Sequence, residues 1–104
     1  MDITIRKIDL NSIYVHATGR LDLDNAVEYG TKIKEYIEDN DDVITEVTLD
    51  FSEITFISSF GLKVILELYK QLKTQEGNLK LKDVSEDLMN SFKMVGFDKF
   101  LIFG

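Results

Sequence analysis

Two adjacent hydroxyl residues, Ser58 and Ser59, stand between an apolar, strand-like segment and the most regular helical pattern of the chain. A helix begins with unpaired backbone N–H groups and the positive end of its dipole, and both stabilise an anion. A phosphate on Ser59 would therefore be held at this helix start, where it would add about −1.5 to −2 charge. The alternative role is capping of the helix by Ser58 or Ser59, which contributes roughly 0.5–2 kcal/mol.

Catalysis and metal binding have weaker signals. The single histidine, His16, lies within a predicted strand, and a hydrolase of the Ser–His type would need it beside Ser59. Nothing in the sequence brings the two together, so we expect no catalytic residue and predict that the chain is not an enzyme. Asp22, Asp24 and the acidic run 38–42 lack the glycine and glutamate spacing of a calcium loop, so no metal site is expected.

Apolar periodicity places the serines within an alternation of strands and helices. Strands over residues 3–8 and 12–18 are predicted to pair across a tight turn, and a helix capped by Asp24 or Asn25 follows. Its inward residues are predicted to be Ala26, Tyr29, Ile33 and Ile37. The later elements are a strand at 46–51, the helix that follows the serines, a strand at 78–84, a helix at 85–96 and an apolar end at 100–103.

The helix after the serines has a predicted core face made of five residues at helical spacing: Leu62, Ile65, Leu66, Tyr69 and Leu72. Phe60 and Val64 fall at the edge of this face. Either they pack beneath neighbouring loops, or they form a partly exposed apolar patch beside Ser59 for a protein partner.

Composition limits the partners. The chain has 104 residues, 12 basic and 19 acidic side chains, a net charge of −7 and no cysteine. This length suits a single domain over residues 1–104. An acidic surface repels phosphates, so we expect no nucleic acid partner. No apolar run approaches the ~20 residues that span a bilayer, and no signal segment precedes the first strand, so we expect no membrane partner and a cytoplasmic location.

The segment from Leu49 to Ile65, LDFSEITFISSFGLKVI, resembles the hallmark segment of the STAS domain family of bacterial anti-sigma factor antagonists. In that family a strand L-D-L-S-x-V leads through x-F-I/M-D-S-S/A-G-L/V into a helix. Residues 18–26, 77–81 and 94–100 resemble further family segments, so the resemblance covers essentially the whole chain in order. It implies an α/β fold: a STAS-like mixed sheet of four to five strands, mainly parallel after the first, covered by three to four helices.

The resemblance also implies a function. The family's serine after the aspartate is phosphorylated by a partner kinase, which points to Ser59 in this chain, with Ser58 as the second choice. The implied role is to bind a serine-kinase anti-sigma factor and release a sigma factor. ATP and magnesium would belong to the kinase, so no cofactor is expected here, and the chain is expected to be a monomer or a weak homodimer. The residues expected to contact the partner are Asp22, Asp24, Ser58, Ser59, Phe60, Gly61, Lys63 and Val64.

The chain departs from the family at two positions of the central motif. Ser58 stands where the family has aspartate, and Phe60 stands where it has a small residue. Loss of the carboxylate predicts either slow phosphorylation or binding without phosphorylation, and Phe60 would block the usual kinase or select an unusual one. The alternative function is therefore a non-phosphorylated STAS-like adaptor in a signalling or lipid-transport complex.

Overall fold

The computed structural model describes all of residues 1–104. The chain opens with an antiparallel hairpin of β1 (Asp2–Asp9) and β2 (Ser12–Leu21), as predicted. The backbone N–H of Asn11 donates to Asp9 Oδ1 at 3.0 Å and closes the turn. That hydrogen bond, with a smaller contribution from the Ser12 hydroxyl, holds the pKa of Asp9 below its ordinary value.

Helices and strands make up the rest of the chain. Their bounds are α1 (Leu23–Asp39), β3 (Glu46–Asp50), β4 (Ile54–Ile57), α2 (Ser59–Lys73), β5 (Asn78–Lys82), α3 (Glu86–Met94), a 3-10 turn (Phe97–Lys99) and β6 (Ile102–Phe103). The strand order is β1-β2-β3-β5-β6, β4 pairs with β2, and every pairing after the first is parallel. This confirms the predicted mixed α/β sheet with helices.

The sheet has six strands, although four to five were predicted. The two short strands, β4 with four residues and β6 with two, are too brief to show a clear alternation. β2 is long enough to pair with β3 along its first half and with β4 along its end. The change of partner coincides with a register shift at Gly19, whose φ of +113° suits glycine.

One face of the sheet is buried and the other is polar. On β2, Ile13, Val15 and Ala17 are buried, while Tyr14 and His16 lie on the opposite, partly exposed face, as the alternation predicts. The inward residues of α1 are also the predicted ones: Ala26, Tyr29, Ile33 and Ile37 are its buried residues.

The buried face of α2 differs from the prediction. Val64 and Leu68 are buried together with Ile65 and Leu72, whereas the predicted core residues Leu62, Leu66 and Tyr69 are only partly buried. The reason is that α1 packs beside α2. A Cβ at Gly30 of α1 would lie 2.7 Å from Val64 Cγ1, so the two helices approach closely at this point.

Candidate functional site

The candidate site lies where two neighbouring strands end and two helices begin. β2 and β4 run parallel, with Leu21 opposite Ile57. Each strand is followed at once by a capping residue, Asp22 for α1 and Ser58 for α2. The amino termini of α1 and α2 therefore lie at the same end of the sheet, and both present backbone N–H groups there.

Ser58 holds the start of α2. Its Oγ accepts a hydrogen bond from Gly61 N at 3.0 Å and donates one to Leu21 O at 3.0 Å. Its backbone N–H donates to the same carbonyl at 2.9 Å. Of the two serines proposed to cap the helix, Ser58 is the one that does so.

Ser59 is the first residue of α2 and is exposed. Its hydroxyl takes no part in the capping hydrogen bonds, which Ser58 makes. The first turn of α2 contains no acidic residue, so no carboxylate of this turn offsets the positive end of the helix dipole beside Ser59. The structure thus presents an accessible hydroxyl at a position that favours an anion.

Gly61 brings the first turn of α2 against the end of β2. It is buried, and a Cβ at this position would lie 2.7 Å from Ile57 Cγ1 and 2.9 Å from Leu21 O. Only a residue without a side chain fits this close approach without a shift of the backbone. Gly61 therefore positions Ser58 and Ser59 and has no side chain to offer a partner.

The start of α1 is acidic. Asp22 caps the helix by accepting a hydrogen bond from Asn25 N at 3.1 Å, and Asp24 is exposed in the first turn. The prediction that Asp24 or Asn25 caps α1 was wrong by two or three residues. Asn25 instead donates from its side chain to Arg20 O at 2.9 Å. Asp22 takes the capping role because it directly follows the last residue of β2.

Apolar side chains accompany these polar groups on the surface. Leu23 is 59% exposed as the first residue of α1, and Val27 is also exposed. Phe56 of β4 is partly exposed beneath the guanidinium of Arg20, 4.2 Å from its ring centroid. The sequence pattern does not single out these three apolar residues. In β4 the order buried, exposed, exposed, buried breaks the strict alternation of a strand, so Phe56 is exposed although it lies two residues after the buried Ile54.

A groove of about 420 Å³ separates α1 from α2. Phe60 and Val64 lie in its lining beside Val27, so Phe60 is partly buried there and not fully exposed. Of the two alternatives predicted for Val64, the structure shows burial and not an exposed patch, and the covering element is α1 at Gly30 and not a loop. Lys63 is exposed. The charged residues in the lining of the groove are Lys34, Glu38 and Glu67.

His16 does not join the serines. Its Nε2 lies 2.7 Å from Glu53 Oε2, while the hydroxyl of Ser58 is occupied by Leu21 and Gly61. No hydrogen bond joins His16 to Ser58 or to Ser59, so the structure does not assemble the Ser–His pair that a hydrolase would use. No group of three or more His, Asp or Glu side chains is arranged to hold a metal ion. None of the helices combines the length and the apolar composition that a membrane-spanning segment requires.

A second polar cluster lies on the open face of the sheet. Tyr14 Oη donates to Asp50 Oδ2 at 2.6 Å, and Ser52 N donates to Asp50 Oδ1 at 2.9 Å. Burial acts to raise the pKa of Asp50, but these hydrogen bonds outweigh it and hold the pKa below its ordinary value. The same hydrogen bond raises the pKa of Tyr14. Sequence alternation places Tyr14 on this face but gives no sign of a partner 36 residues away.

Comparison with known proteins identifies relatives along the whole chain. The family model for the STAS domain matches residues 2–104. An anti-sigma-B factor antagonist of Bacillus subtilis (strain 168) is 29% identical over 86 residues, which cover 83% of this chain and 75% of the relative.

Solved structures share the fold at lower identity. The structure of the anti-sigma factor antagonist SpoIIAA in its unphosphorylated form superposes with a TM-score of 0.78 at 16% identity, covering 99% of this chain and 87% of that one. The Bacillus cell fate determinant SpoIIAA in the phosphorylated form gives a TM-score of 0.76 at 17% identity, covering 99% and 91%. At these identities the likeness is one of fold.

Proposed function

The chain belongs to the STAS domain family, and we propose that it is an anti-sigma factor antagonist: it binds a serine-kinase anti-sigma factor and so releases a sigma factor. A relative that is 29% identical carries the name of such an antagonist. The observation that carries the proposal is the difference between the two serines, since Ser58 caps α2 while Ser59 is exposed at its start.

The proposed switch is phosphorylation of Ser59. The phosphate would add about −1.5 to −2 charge next to the unpaired N–H groups of α2, which accommodate an anion without unfolding the helix. The partner's surface is complementary to the neutral hydroxyl of Ser59. A phosphate there would remove this electrostatic complementarity, and binding would weaken. SpoIIAA, whose fold this chain shares, has been solved in both an unphosphorylated and a phosphorylated form. ATP and magnesium are supplied by the kinase, and the chain itself carries no cofactor.

The proposed docking surface surrounds Ser59. Asp22 and Asp24 at the start of α1 and Lys63 on α2 supply charge, and the exposed apolar residues Leu23 and Phe56 supply contact area. A mixed surface of this kind suits a protein partner, because interfaces combine an apolar centre with a polar rim. Phe60, which lines the groove between α1 and α2, would select a partner that fits a bulky aromatic side chain. We place this interaction in the cytoplasm.

Binding of the kinase-type anti-sigma factor from the same organism, measured by titration calorimetry, tests the proposal. Ser59→Asp should weaken binding by at least about tenfold, because it places a fixed negative charge in the interface. Asn90→Asp, the same change in charge at an exposed position of α3, should leave the affinity unchanged. Equal affinities for the wild type and Ser59→Asp would contradict the switch.

The second candidate is a non-phosphorylated adaptor in a signalling or lipid-transport complex. The observation that favours it is the pair of departures at Ser58 and Phe60, which removes the family's aspartate and small residue from either side of Ser59. Capture from native cells with the immobilised chain separates the two functions. Recovery of a serine kinase supports the antagonist, and recovery of a transporter subunit without a kinase supports the adaptor.

A further inference from the structure

β1 is the long free edge of the sheet. The strand order places β1 at one edge and β6 at the other, and β1 has eight residues while β6 has two. Only one side of β1 pairs, with β2, so the backbone N–H and C=O groups of its outer side have no strand partner. Such an edge is a template for another strand unless the sequence blocks it.

The usable part of this edge is residues 2–7. Their pairing with β2 is regular from Asp2 opposite Thr18 to Lys7 opposite Ile13, and a register shift follows Lys7. Such an irregularity ends regular pairing along an edge, so a strand that docks here has to use the first part of β1.

The side chains of this segment are arranged in two layers. Asp2, Thr4 and Arg6 are exposed on the open face of the sheet. Ile3 and Ile5 point to the face that the helices cover, and both are partly buried against the core. The segment therefore carries an acidic residue near one end, a basic residue near the other, and two isoleucines between them.

We propose that two copies of this chain pair antiparallel through β1, with the two Thr4 residues opposite each other on the twofold axis. This register places Asp2 of each copy opposite Arg6 of the other, and Ile3 of each copy opposite Ile5 of the other. Opposite charges and apolar residues facing each other across a strand pair stabilise it. The result is one continuous sheet in which the open polar faces of both copies are joined.

Two criteria favour this register over the adjacent ones: the charges of the residues that face each other, and the face of the sheet on which their side chains lie. Residues opposite each other in an antiparallel pair share a face, so only registers that match even with even and odd with odd positions are compatible with the buried side of the sheet. Centring on Ile5 would put Arg6 opposite Thr4 and leave Asp2 without a basic partner, and centring on Arg6 would put two guanidinium groups opposite each other. Centring on Ile3 would pair only residues 1–5. Parallel pairing has no twofold axis that closes the dimer.

The pairing is expected to be weak. Each copy carries a net charge of −7, so long-range repulsion opposes association. We expect a dissociation constant of roughly 10 μM to 1 mM. The paired residues, 1–7, include none of the residues proposed to bind the anti-sigma factor, so the dimer goes beyond that function and does not depend on it.

Sedimentation equilibrium on the full chain, up to a concentration of about 1 mM, tests the charge pairing. The wild type should form dimers, and Asp2→Arg or Arg6→Asp alone should weaken association by about tenfold or more, because each places like charges opposite each other at both pairs. An equimolar mixture of the two variants restores opposite charges at both pairs and should associate as the wild type does. Lys82→Asp, which changes the charge of an exposed residue on β5 by the same amount as Arg6→Asp, should have no such effect.

Single cysteines test the register without relying on charge, since the chain contains no other cysteine. Directly opposite Cα atoms in an antiparallel pair lie about 4.5–5.5 Å apart, within disulfide range. Thr4→Cys should therefore form a cross-linked dimer under mild oxidation at least about tenfold faster than Asp2→Cys, which lies on the same strand and face. The proposal is overturned if the wild type stays monomeric over the concentration range, if the charge mixture does not restore association, or if the two cysteine variants cross-link equally fast. Circular dichroism melting establishes that each variant is folded.

Discussion

The two helices that begin side by side at the end of the sheet start in different ways. α1 is capped by a carboxylate, Asp22, and carries a second one, Asp24, in its first turn. α2 is capped by the hydroxyl of Ser58 and has no acidic residue in its first turn. The positive end of the α1 dipole therefore faces fixed negative charge, whereas that of α2 faces two neutral hydroxyls.

The negative charge at the start of α1 is fixed, whereas the charge at the start of α2 can change by modification of a hydroxyl. Phosphorylation at Ser59 would give α2 the negative charge that α1 already has. It would do so at a residue that makes none of the capping hydrogen bonds, so the helix start keeps its geometry. The acidic start of α1 has no comparable group to modify. Under the proposed function, the start of α2 is therefore the part of the site whose charge phosphorylation would change.

Replacing the glycine at the third position of α2 should have the largest effect on stability. Gly61→Ala introduces a Cβ at 2.7 Å from Ile57 Cγ1, and overpacking of this kind costs about 1–3 kcal/mol. Asn25 occupies the third position of α1, and Asn25→Ala removes only its hydrogen bond to Arg20 O, about 0.5–1.5 kcal/mol. Urea unfolding measures both. A smaller loss for Gly61→Ala than for Asn25→Ala would contradict the close approach of α2 to β2.

Removing each cap compares the two starts directly. Ser58→Ala and Asp22→Ala should each lower the free energy of unfolding by roughly 0.5–2 kcal/mol, since each removes the acceptor of a capping hydrogen bond. Ser59→Ala should change it by less than about 0.5 kcal/mol. Urea unfolding of the three alanine variants and the wild type measures these changes. A loss for Ser59→Ala as large as that for Ser58→Ala would assign the cap to Ser59 and remove the distinction between the serines.

The Asp50 carboxylate on the open face of the sheet is a negative charge that a side-chain hydrogen bond stabilises, in contrast to the charges at the helix starts. Tyr14→Phe removes the hydrogen bond to Asp50 and should cost about 1 kcal/mol at neutral pH. Because the pKa of Asp50 is held below its ordinary value of 3.8, this contribution is present above that pH and disappears as pH falls through the lowered pKa. Thermal unfolding of both proteins from pH 7 downward should show the difference shrinking. A constant difference would mean that the Tyr14 hydroxyl contributes independently of the charge on Asp50.

Adding charge to the first turn of α2 should have the smallest effect on stability. Ser59→Asp should raise the free energy of unfolding by about 0.3–1 kcal/mol, and Asp24→Asn at α1 should lower it by a similar amount. Both effects should fade at high salt, because the groups are exposed. Thermal unfolding at low and high salt measures them. Destabilisation by Ser59→Asp at low salt would show that the start of α2 does not favour an anion.

The sequence predicted the periodic parts of the fold better than its junctions. The buried face of α1 was predicted correctly because its spacing is regular, but its cap was missed because Asp22, Asp24 and Asn25 are all capping types. The choice among them depends on where β2 ends against β4. The face of α2 was misjudged because the sequence does not show that Gly30 lets α1 cover Val64.

The candidate site was predicted in position but not in detail. The sequence located the hydroxyl pair at a helix start, yet it left open which serine caps. That depends on the carbonyl of Leu21, 37 residues before Ser58, which receives its hydroxyl. The hydrogen bond between Tyr14 and Asp50 was missed for the same reason, because it depends on the parallel pairing of β2 with β3.

Phosphorylation mapping tests the central claim most directly. The wild type, Ser58→Ala and Ser59→Ala are incubated with the cognate serine-kinase anti-sigma factor, ATP and magnesium, and the modified residue is identified by mass spectrometry. We predict one phosphate on Ser59 in the wild type and in Ser58→Ala, and none in Ser59→Ala. Phosphate on Ser58, or none on the wild type while the kinase binds it, would contradict the account.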